Sequence, residues 1–257
     1  MTAIQRVGVI GGVRIPFCRN NTGYAEIALV ERYGLHGVEL GEVAFGAVIK
    51  HASDWNLARE ATLSSGLAPT TPGITTARAC GTGLDNAVYI ANKIATGQID
   101  AGIAGGSDTT SDVPIVYGKA LQQRLLAVNR ARSPMEKFKT ALKGFSLGEL
   151  KPSFPAVAEP RTGKSMGEHC ELMAREWKIS REDQDRLAWE SHQKAAAAYE
   201  RGFFKDLIVP FRGIDRDNNL RADTTLEKLA SLKLAFDRSS GHGTLSAGNS
   251  TPLSDGA

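Results

Sequence analysis

Apolar and amphipathic stretches alternate along the first part of the chain. Four apolar runs rich in β-branched or very small residues predict strands at 6–12, 43–49, 74–76 and 101–108. Three amphipathic stretches predict helices at 24–36, at 56–66 and between Cys80 and Gly97. This alternation is typical of an α/β fold with a largely parallel sheet. The small residues of 101–108 favour the centre of that sheet, where layers pack closely.

The pattern changes near residue 112, after which the chain is more polar, more charged and more helical up to about residue 240. Ser180 and Asp183 have the spacing of a helix N-cap and predict a helix that continues to Gly202. The stretch 134–145 predicts an amphipathic helix with one apolar stripe. That stripe favours a surface helix docked on the protein; the alternative is a basic face for a membrane or a partner. Residues 241–257 then return to glycine, serine and threonine.

Composition narrows the class of protein. The chain has 257 residues, 42% of them hydrophobic, and a net charge of +3, which is ordinary for a globular protein and too small to indicate nucleic acid binding. Its three cysteines, Cys18, Cys80 and Cys170, are widely spaced and predict neither a disulfide framework nor a zinc site, so we expect a reducing compartment. We expect no signal peptide, since residues 1–6 lead directly into an apolar strand, and no apolar run is long enough to span a membrane. The early glycines lack the spacing of a dinucleotide-binding fingerprint.

The stretch 75–87 carries the strongest candidate for chemistry. A β-branched run leads into Cys80, glycines follow at Gly81 and Gly83, and an amphipathic run comes next, which predicts a strand, a tight turn and a helix. A thiol at a helix N-terminus faces unpaired N–H groups and the positive end of the helix dipole, and both favour the reactive thiolate. The alternative is a buried structural cysteine, but the two glycines leave space beside the sulfur that such a residue does not need.

Six motifs in register resemble those of one enzyme family. They are Arg14-Ile-Pro-Phe17, Arg78-Ala-Cys-Gly-Thr-Gly83, Ala104-Gly-Gly-Ser-Asp108, Ser165-Met-Gly-Glu168, Leu232-Lys-Leu-Ala-Phe-Asp237 and the segment 244–257. The chain resembles the thiolases, acyl-CoA:acetyl-CoA C-acyltransferases, and is similar to the branch that forms the thiolase subunit of fatty-acid β-oxidation complexes. The resemblance implies the N-terminal half of a layered αβαβα thiolase fold with a helical loop-domain insertion. It implies a core over 1–111, a loop domain over 112–242 and a return to the core over 243–257, with the C-terminal thiolase domain absent.

The resemblance also assigns residues. Cys80 stands where thiolases carry the nucleophile that takes the acyl group. Met166 matches a residue near the acyl and pantetheine end of the pocket. Ala247 and Thr251 match positions that touch the pantetheine arm, and Arg221 resembles a basic residue near the CoA nucleotide. Coenzyme A is then a substrate, and the family chemistry implies neither a metal nor a further cofactor.

Two departures from the family pattern stand out. The motifs of the family's second half, including the histidine that activates the nucleophile and the acid/base cysteine, have no counterpart here. His242 lies in a family-typical turn and is interpreted as a loop residue; the remaining histidines, which have no better claim, are His36, His51, His169 and His192. The segment between 23 and 29 is also short by roughly one helix turn against the family pattern.

The resemblance therefore implies a thiolase that cleaves 3-ketoacyl-CoA with CoA through an acyl-Cys80 intermediate, with this chain expected to be inactive alone. A non-catalytic acyl-CoA-binding or scaffold protein is the alternative, and a ketoacyl synthase is disfavoured by the long insertion. Expected partners are acyl-CoA, a second copy joined through the strand at 73–79 in a dimer or tetramer, and a hydratase/dehydrogenase subunit. The cytoplasm is the expected location.

Overall fold

The computed structural model of the protein describes residues 5–17, 25–50 and 55–257. Cys18, His51 and part of the short segment at 23–29 lie outside these residues. The helices are α1 Ala25–Arg32, α2 Leu57–Ser65, α3 Thr82–Ala95, α4 Lys119–Arg130, α5 Pro134–Leu142, the 3₁₀ helix Leu147–Leu150, α6 Met166–Glu176, α7 Arg181–Glu200 and α8 Leu226–Ala230. The strands are β1 Glu42–Gly46, β2 Gly73–Thr76, β3 Gly102–Ala104, β4 Val116–Tyr117 and β5 Pro152–Ser153.

The main sheet has the order β2-β1-β3, and both pairings are parallel. Helix α2 packs on β1 and β2, and α3 packs on β1 and β3. A buried hydrophobic cluster between β1, α1 and α2 contains Val30, Val43, Phe45, Ala58 and Leu67. The parallel α/β sheet predicted from the alternating pattern is therefore confirmed.

Local end signals place α2 and α7 as predicted. The Asn56 side chain accepts the Arg59 N–H at the start of α2, and Gly66 ends that helix in the left-handed conformation with φ 88°. Ser180 caps α7 by accepting the Asp183 N–H at 3.0 Å. The Asp183 carboxylate accepts from the Ser180 hydroxyl instead of reaching the backbone, because it is one methylene shorter than the usual glutamate.

One strand prediction is wrong, and one strand forms but lies elsewhere in the sheet than we expected. Residues 6–12 form no strand in the structure, and Val9 and Ile10 are 94% and 90% exposed. An apolar run becomes a strand only beside a neighbour, and none of the described strands pairs with it. The run 101–108 gives β3, which lies at one edge of the described sheet instead of its centre. Its small residues allow close contact with α3 and β1, since a Cβ on Gly102 would lie 3.0 Å from the Ile90 side chain and one on Gly105 2.9 Å from the Phe45 ring.

The chain divides into two compact units, one formed by residues 1–112 with 158–257 and the other by 113–157. The smaller unit contains α4, α5, the 3₁₀ helix and the antiparallel pair β4–β5. The predicted helix at 134–145 forms over a shorter range, but its apolar stripe is not docked as we expected: the side chains of Met135, Phe138 and Leu142 are more than half exposed. No helix within the described residues is both long and apolar enough to cross a membrane.

Candidate active site

A sharp turn between β2 and α3 presents Cys80. The cysteine comes one residue before Gly81, the N-cap of α3, and its side chain is exposed. Ala79, just before it, has a left-handed backbone with φ 45°, which is unusual for a residue with a Cβ. The Gly81 N–H donates to the Arg78 carbonyl at 3.0 Å and closes the turn. The thiol is therefore carried on a tight, strained turn, and the structure does not support the alternative of a buried structural cysteine.

Thr82 fastens this turn. Its hydroxyl accepts the Arg78 N–H at 2.8 Å and donates to the Ala79 carbonyl at 2.7 Å. Thr82 is 4% exposed, and both of its hydrogen bonds are partly buried. One hydroxyl thus holds the peptide groups on the strand side of Cys80 and fixes the strained conformation of Ala79.

Asn86, one helical turn further on, joins α3 to the ends of two strands. It is fully buried; its Oδ1 accepts from the Thr76 hydroxyl at 2.5 Å and its Nδ2 donates to the Gly105 carbonyl at 2.8 Å. Gly46 at the end of β1 has no room for a side chain, because a Cβ there would lie 2.3 Å from the Thr76 carbonyl oxygen. The carboxyl ends of all three parallel strands therefore meet beneath the Cys80 turn.

The first turn of α3 offers donors near the thiol. Within the described residues, the backbone N–H groups of Cys80, Gly83 and Leu84 donate no hydrogen bond. Asp85 lies in the same turn and would oppose a negative charge, but its carboxylate forms a 2.9 Å ion pair with the Arg78 guanidinium. The free N–H groups and the helix dipole can stabilise a thiolate or an oxyanion at this position.

Met166 is the first residue of α6 and is 77% exposed. Ser165 caps this helix, with its hydroxyl accepting the Glu168 N–H and the Glu168 carboxylate accepting the Ser165 N–H at 2.7 Å. A Cβ on Gly167 would lie 2.2 Å from the Phe236 ring, so only glycine allows this contact. The start of α6 is thereby held against the segment around Phe236.

That segment leads to the loop that contains Ala247. Leu234 and Ser246 form an antiparallel bridge, and the Ala235 N–H donates to the Leu245 carbonyl at 2.8 Å. Ala247 itself is exposed. The structure thus connects two of the sequence-predicted positions, Met166 and Ala247, through adjacent backbone.

Two buried carboxylates shape the loop 244–249. Glu171 of α6, 3% exposed, accepts from the Thr244 N–H, the Thr244 hydroxyl and the Leu245 N–H, each at 2.9 Å. Asp185 of α7, also 3% exposed, accepts from the Asn249 side-chain amide at 2.9 Å. The loop is therefore fixed from two helices.

Gly256 lies against the residues that follow β3, at the carboxyl end of the sheet. Gly256 and Asp108 exchange both backbone hydrogen bonds, at 2.9 and 3.0 Å, and Asp108 follows β3. The Asp108 carboxylate also accepts the N–H groups of Val48 and Ile49 just beyond β1, each at 2.8 Å. Thr251, in the segment that leads to Gly256, is exposed.

Arg221 lies on an exposed turn. Its guanidinium donates to the carbonyls of Asn218 and Leu220, and its backbone N–H donates to Nδ1 of His192 at 3.3 Å. Burial, followed by the positive charge of Arg221, lowers the pKa of His192. The nearby Asn219 amide donates to the Ser254 hydroxyl at 2.7 Å, which joins this turn to the segment that begins at Thr251.

No activating group contacts the thiol within the residues that the structure describes. None of the histidines there hydrogen-bonds Cys80; His169 pairs with Thr162, and His242 lies on an exposed turn. No group of three His, Cys, Asp or Glu side chains in these residues could hold a metal ion.

The sequence analysis missed the residues that hold the site together. They are Thr82, Asn86, Glu171, Asp185 and Asn249. Of these, only Thr82 and Asn86 could have been found from the sequence. They are polar residues four positions apart, and they lie on the face of α3 that the apolar pattern predicts to pack on the sheet.

The fold and the site define an α/β protein that presents a cysteine on a tight turn at a helix N-terminus, at the carboxyl edge of a parallel sheet. The family model described as "Thiolase, N-terminal domain" matches residues 7–257. The chain belongs to the thiolase family, as its motifs implied.

Individual relatives agree with this assignment. The chain is 39% identical over 270 aligned residues to the 3-ketoacyl-CoA thiolases of Yersinia pestis and of Yersinia pseudotuberculosis, an alignment that covers 98% of this chain and 61% of each relative. It superposes on the acetyl-CoA acetyltransferase of Bacillus anthracis with a TM-score of 0.80 at 29% identity, covering 100% of this chain and 65% of that one. It superposes on human mitochondrial 3-ketoacyl-CoA thiolase in complex with CoA with a TM-score of 0.75 at 25% identity, covering 95% and 61%. The chain therefore has the thiolase fold and spans about three fifths of the length of these relatives.

Proposed function

We propose that this chain supplies the nucleophile half of a thiolase that cleaves 3-ketoacyl-CoA with CoA. The observation that carries the proposal is the exposed Cys80 thiol on its fastened turn, in a chain of the thiolase family. The names of the Yersinia relatives support 3-ketoacyl-CoA as the substrate, and the bound CoA of the human structure supports CoA as the second substrate.

The reaction would proceed in two transfers. The Cys80 thiolate attacks the 3-keto carbon, the bond between C2 and C3 breaks, and the electron pair remains on C2 as the enolate of acetyl-CoA, which a general acid protonates. The acyl group is left as a thioester on Cys80. Deprotonated CoA then attacks that thioester, releases the shortened acyl-CoA and regenerates the thiolate. The free N–H groups at the start of α3 are suited to stabilise the oxyanion formed in each transfer.

The proposed ligand positions surround this chemistry. Met166 and Ala247 would border the acyl and pantetheine groups, Thr251 would contact the pantetheine arm, and Arg221 would lie near the CoA nucleotide. The linkage from α6 through Phe236 to the loop 244–249 supports the first pair. The hydrogen bond from Asn219 to Ser254 supports placing Thr251 and Arg221 along one ligand.

The proposed assembly places a second copy along β2. Among the described strands, β2 pairs only with β1, so its other edge is available to a neighbour. A hydratase/dehydrogenase subunit as partner and a cytoplasmic location complete the proposal, the latter supported by the free thiols of Cys80 and Cys170. We also propose the domain division 1–111, 112–242 and 243–257. The two compact units of the structure divide the chain differently, because residues 158–242 belong to the same unit as residues 1–112.

Acylation tests the assignment of Cys80. The purified 257-residue chain is incubated with acetoacetyl-CoA, and its intact mass is followed together with acetyl-CoA release. We expect one acetoacetyl-derived acyl group per chain, slow formation and no sustained turnover, because no base contacts the thiol in the described residues. Cys80→Ser should abolish the adduct, whereas Cys170→Ser, the matched control, should retain it.

Two outcomes would contradict parts of the proposal. Turnover close to that of a complete thiolase would refute the need for further catalytic groups. An unmodified chain, together with a Cys80 that reacts with iodoacetamide no faster than a model thiol, would favour the alternative, a non-catalytic acyl-CoA-binding or scaffold protein.

A further inference from the structure

The compact unit 113–157, here called the basic unit, differs in charge from the rest of the chain. It contains eight basic and two acidic residues, a net charge of +6, whereas the remaining residues contain 23 basic and 26 acidic, a net charge of −3. Its two acidic residues, Glu136 and Glu149, are both engaged within the unit. The positive charge of the chain is therefore concentrated in this one segment.

The interior of the basic unit is polar. The Arg124 side chain, 16% exposed, forms a two-pronged ion pair with Glu149, with both N···O distances at 2.7 Å. It also donates to the carbonyls of Lys143 at 2.7 Å and Ala141 at 3.2 Å, at the end of α5. One guanidinium thus connects α4, the end of α5 and the 3₁₀ helix, where a hydrophobic cluster would ordinarily do so.

The large apolar side chains of the unit point outward instead. Among them, only Leu121 is buried. Those exposed are Ile115, Val116, Tyr117, Leu125, Leu126, Met135, Phe138, Leu142, Phe145, Leu147, Leu150, Phe154 and Val157. On α5, the apolar residues share one face with Lys139 beside it, and Lys143 follows directly at the end of the helix. The basic unit is therefore polar inside and both apolar and cationic outside.

From this arrangement we infer that the basic unit docks on an anionic lipid surface. Exposed apolar side chains flanked by lysines are the pattern that inserts at the boundary between headgroups and acyl chains, with the ammonium groups at the level of the phosphates. A second copy of the same surface is disfavoured, because two such units, each with a net charge of +6, repel each other. An acidic protein would complement the charge, but its surface would also have to match the shape of side chains spread over several short elements. A fluid lipid surface adapts to such side chains without a preformed groove. The inference is independent of the chemistry at Cys80.

Vesicle binding of the full 257-residue chain tests the inference. We expect co-sedimentation with vesicles of phosphatidylglycerol and phosphatidylcholine, little with phosphatidylcholine alone, and weaker binding as salt is raised. The charge reversal Lys137→Glu, Lys139→Glu, Lys143→Glu should lower binding by about a hundredfold or more, since each basic residue contributes roughly fivefold at such a surface. Met135→Ser with Phe138→Ser should also weaken it, because the apolar contribution is lost. These side chains are exposed, so far-ultraviolet circular dichroism should be unchanged.

A matched control separates local from overall charge. Lys178→Glu, Lys205→Glu, Lys233→Glu changes the net charge equally at exposed positions outside the basic unit and should leave vesicle binding within about twofold of the unmodified chain. Equal binding to neutral and anionic vesicles, or equal losses in the two triple variants, would overturn the inference. The inference would also be overturned if the chain does not bind vesicles but is retained on immobilised polyglutamate. It would likewise be overturned if the chain does not bind vesicles but forms a concentration-dependent dimer that the variant Lys137→Glu, Lys139→Glu, Lys143→Glu abolishes.

Discussion

Replacing Thr82 by valine is the most direct test of how the Cys80 turn is held. Valine keeps the shape of threonine but lacks the hydroxyl that accepts the Arg78 N–H and donates to the Ala79 carbonyl. The Ala79 carbonyl keeps a second donor, the residue-82 N–H at 3.2 Å, so its loss is partial. The Arg78 N–H loses its acceptor at a partly buried position. An ordinary hydrogen bond contributes about 1 kcal/mol and a stranded buried donor costs roughly 1–3 kcal/mol, so we expect a total loss of about 2 kcal/mol in the free energy of unfolding.

Two measurements separate stability from positioning. Urea unfolding gives the loss of stability, and the rate of Cys80 alkylation by iodoacetamide, measured well below the unfolding transition, reports on the thiol. In Thr82→Val we expect the alkylation rate to move toward that of a model thiol, because the turn no longer holds the sulfur at the start of α3.

Thr82→Ser is the matched control. Serine keeps the hydroxyl and loses only a methyl group, which costs about 0.8 kcal/mol when buried, so the alkylation rate should stay close to that of the unmodified chain. If valine and serine variants agree in both stability and alkylation rate, the hydroxyl does not hold the turn and the reasoning fails.

Three further predictions follow from other named contacts. Burial alone would raise the pKa of the Asp217 carboxyl, but hydrogen bonds, first that from Arg14, lower this pKa below its usual range. The carboxylate therefore stabilises the fold above about pH 4, and this stabilisation is lost as the pH falls through the lowered pKa. In urea unfolding between pH 3 and 6, the free energy of unfolding of Asp217→Asn should therefore fall less with acid than that of the unmodified chain. Ala79→Gly should raise the free energy of unfolding by up to about 1 kcal/mol, because glycine adopts a φ of 45° without strain; a loss of stability would contradict the left-handed assignment. Glu171→Gln should lower the free energy of unfolding by at least about 2 kcal/mol, because the glutamine amide presents N–H groups to the donors of Thr244. An unchanged melting temperature would show that the buried carboxylate is not needed.

Features encoded by neighbouring residues could be predicted from the sequence. The ends of α2 were predictable because Asn56 and Gly66 act on backbone groups within four residues of themselves. The position of Cys80 at the start of α3 was predictable for the same reason, since the strand, the glycines and the helix are contiguous. Features that depend on a distant neighbour were not. The apolar run that includes Val9 and Ile10 resembles a strand, but pairing is a property of two segments, and the pattern of one cannot supply it.

The same distinction explains the outcome for the site. The family motifs assigned a role to the cysteine but none to Thr82 or Asn86, because these two residues act through backbone groups brought together only by folding. Glu171 lies seventy-three positions before the loop residue that it binds, and no local pattern connects them. The exposed stripe of α5 was misjudged for a related reason. An amphipathic pattern shows that a helix has an apolar face, but it does not show whether protein, lipid or water lies against that face.

Holding the Cys80 thiol and activating it as the proposed nucleophile are separate tasks in this protein. The hydrogen bonds that hold the Cys80 turn come from the turn itself, from α3, from the end of β2 and from Gly105 just after β3. The groups that form them are hydroxyls, an amide and backbone groups, which do not exchange protons near neutral pH. The thiol can therefore be presented in one position by this chain, whereas the proton transfers of an acyl exchange need an acid and a base that do not contact it in the described residues. About two fifths of each related thiolase lies outside the alignment with this chain. Under the proposed function, the acid and the base would correspond to groups in that unaligned part of the relatives. On this reasoning, acylation of Cys80 and catalytic turnover are separable, and the chain alone should show the first without the second.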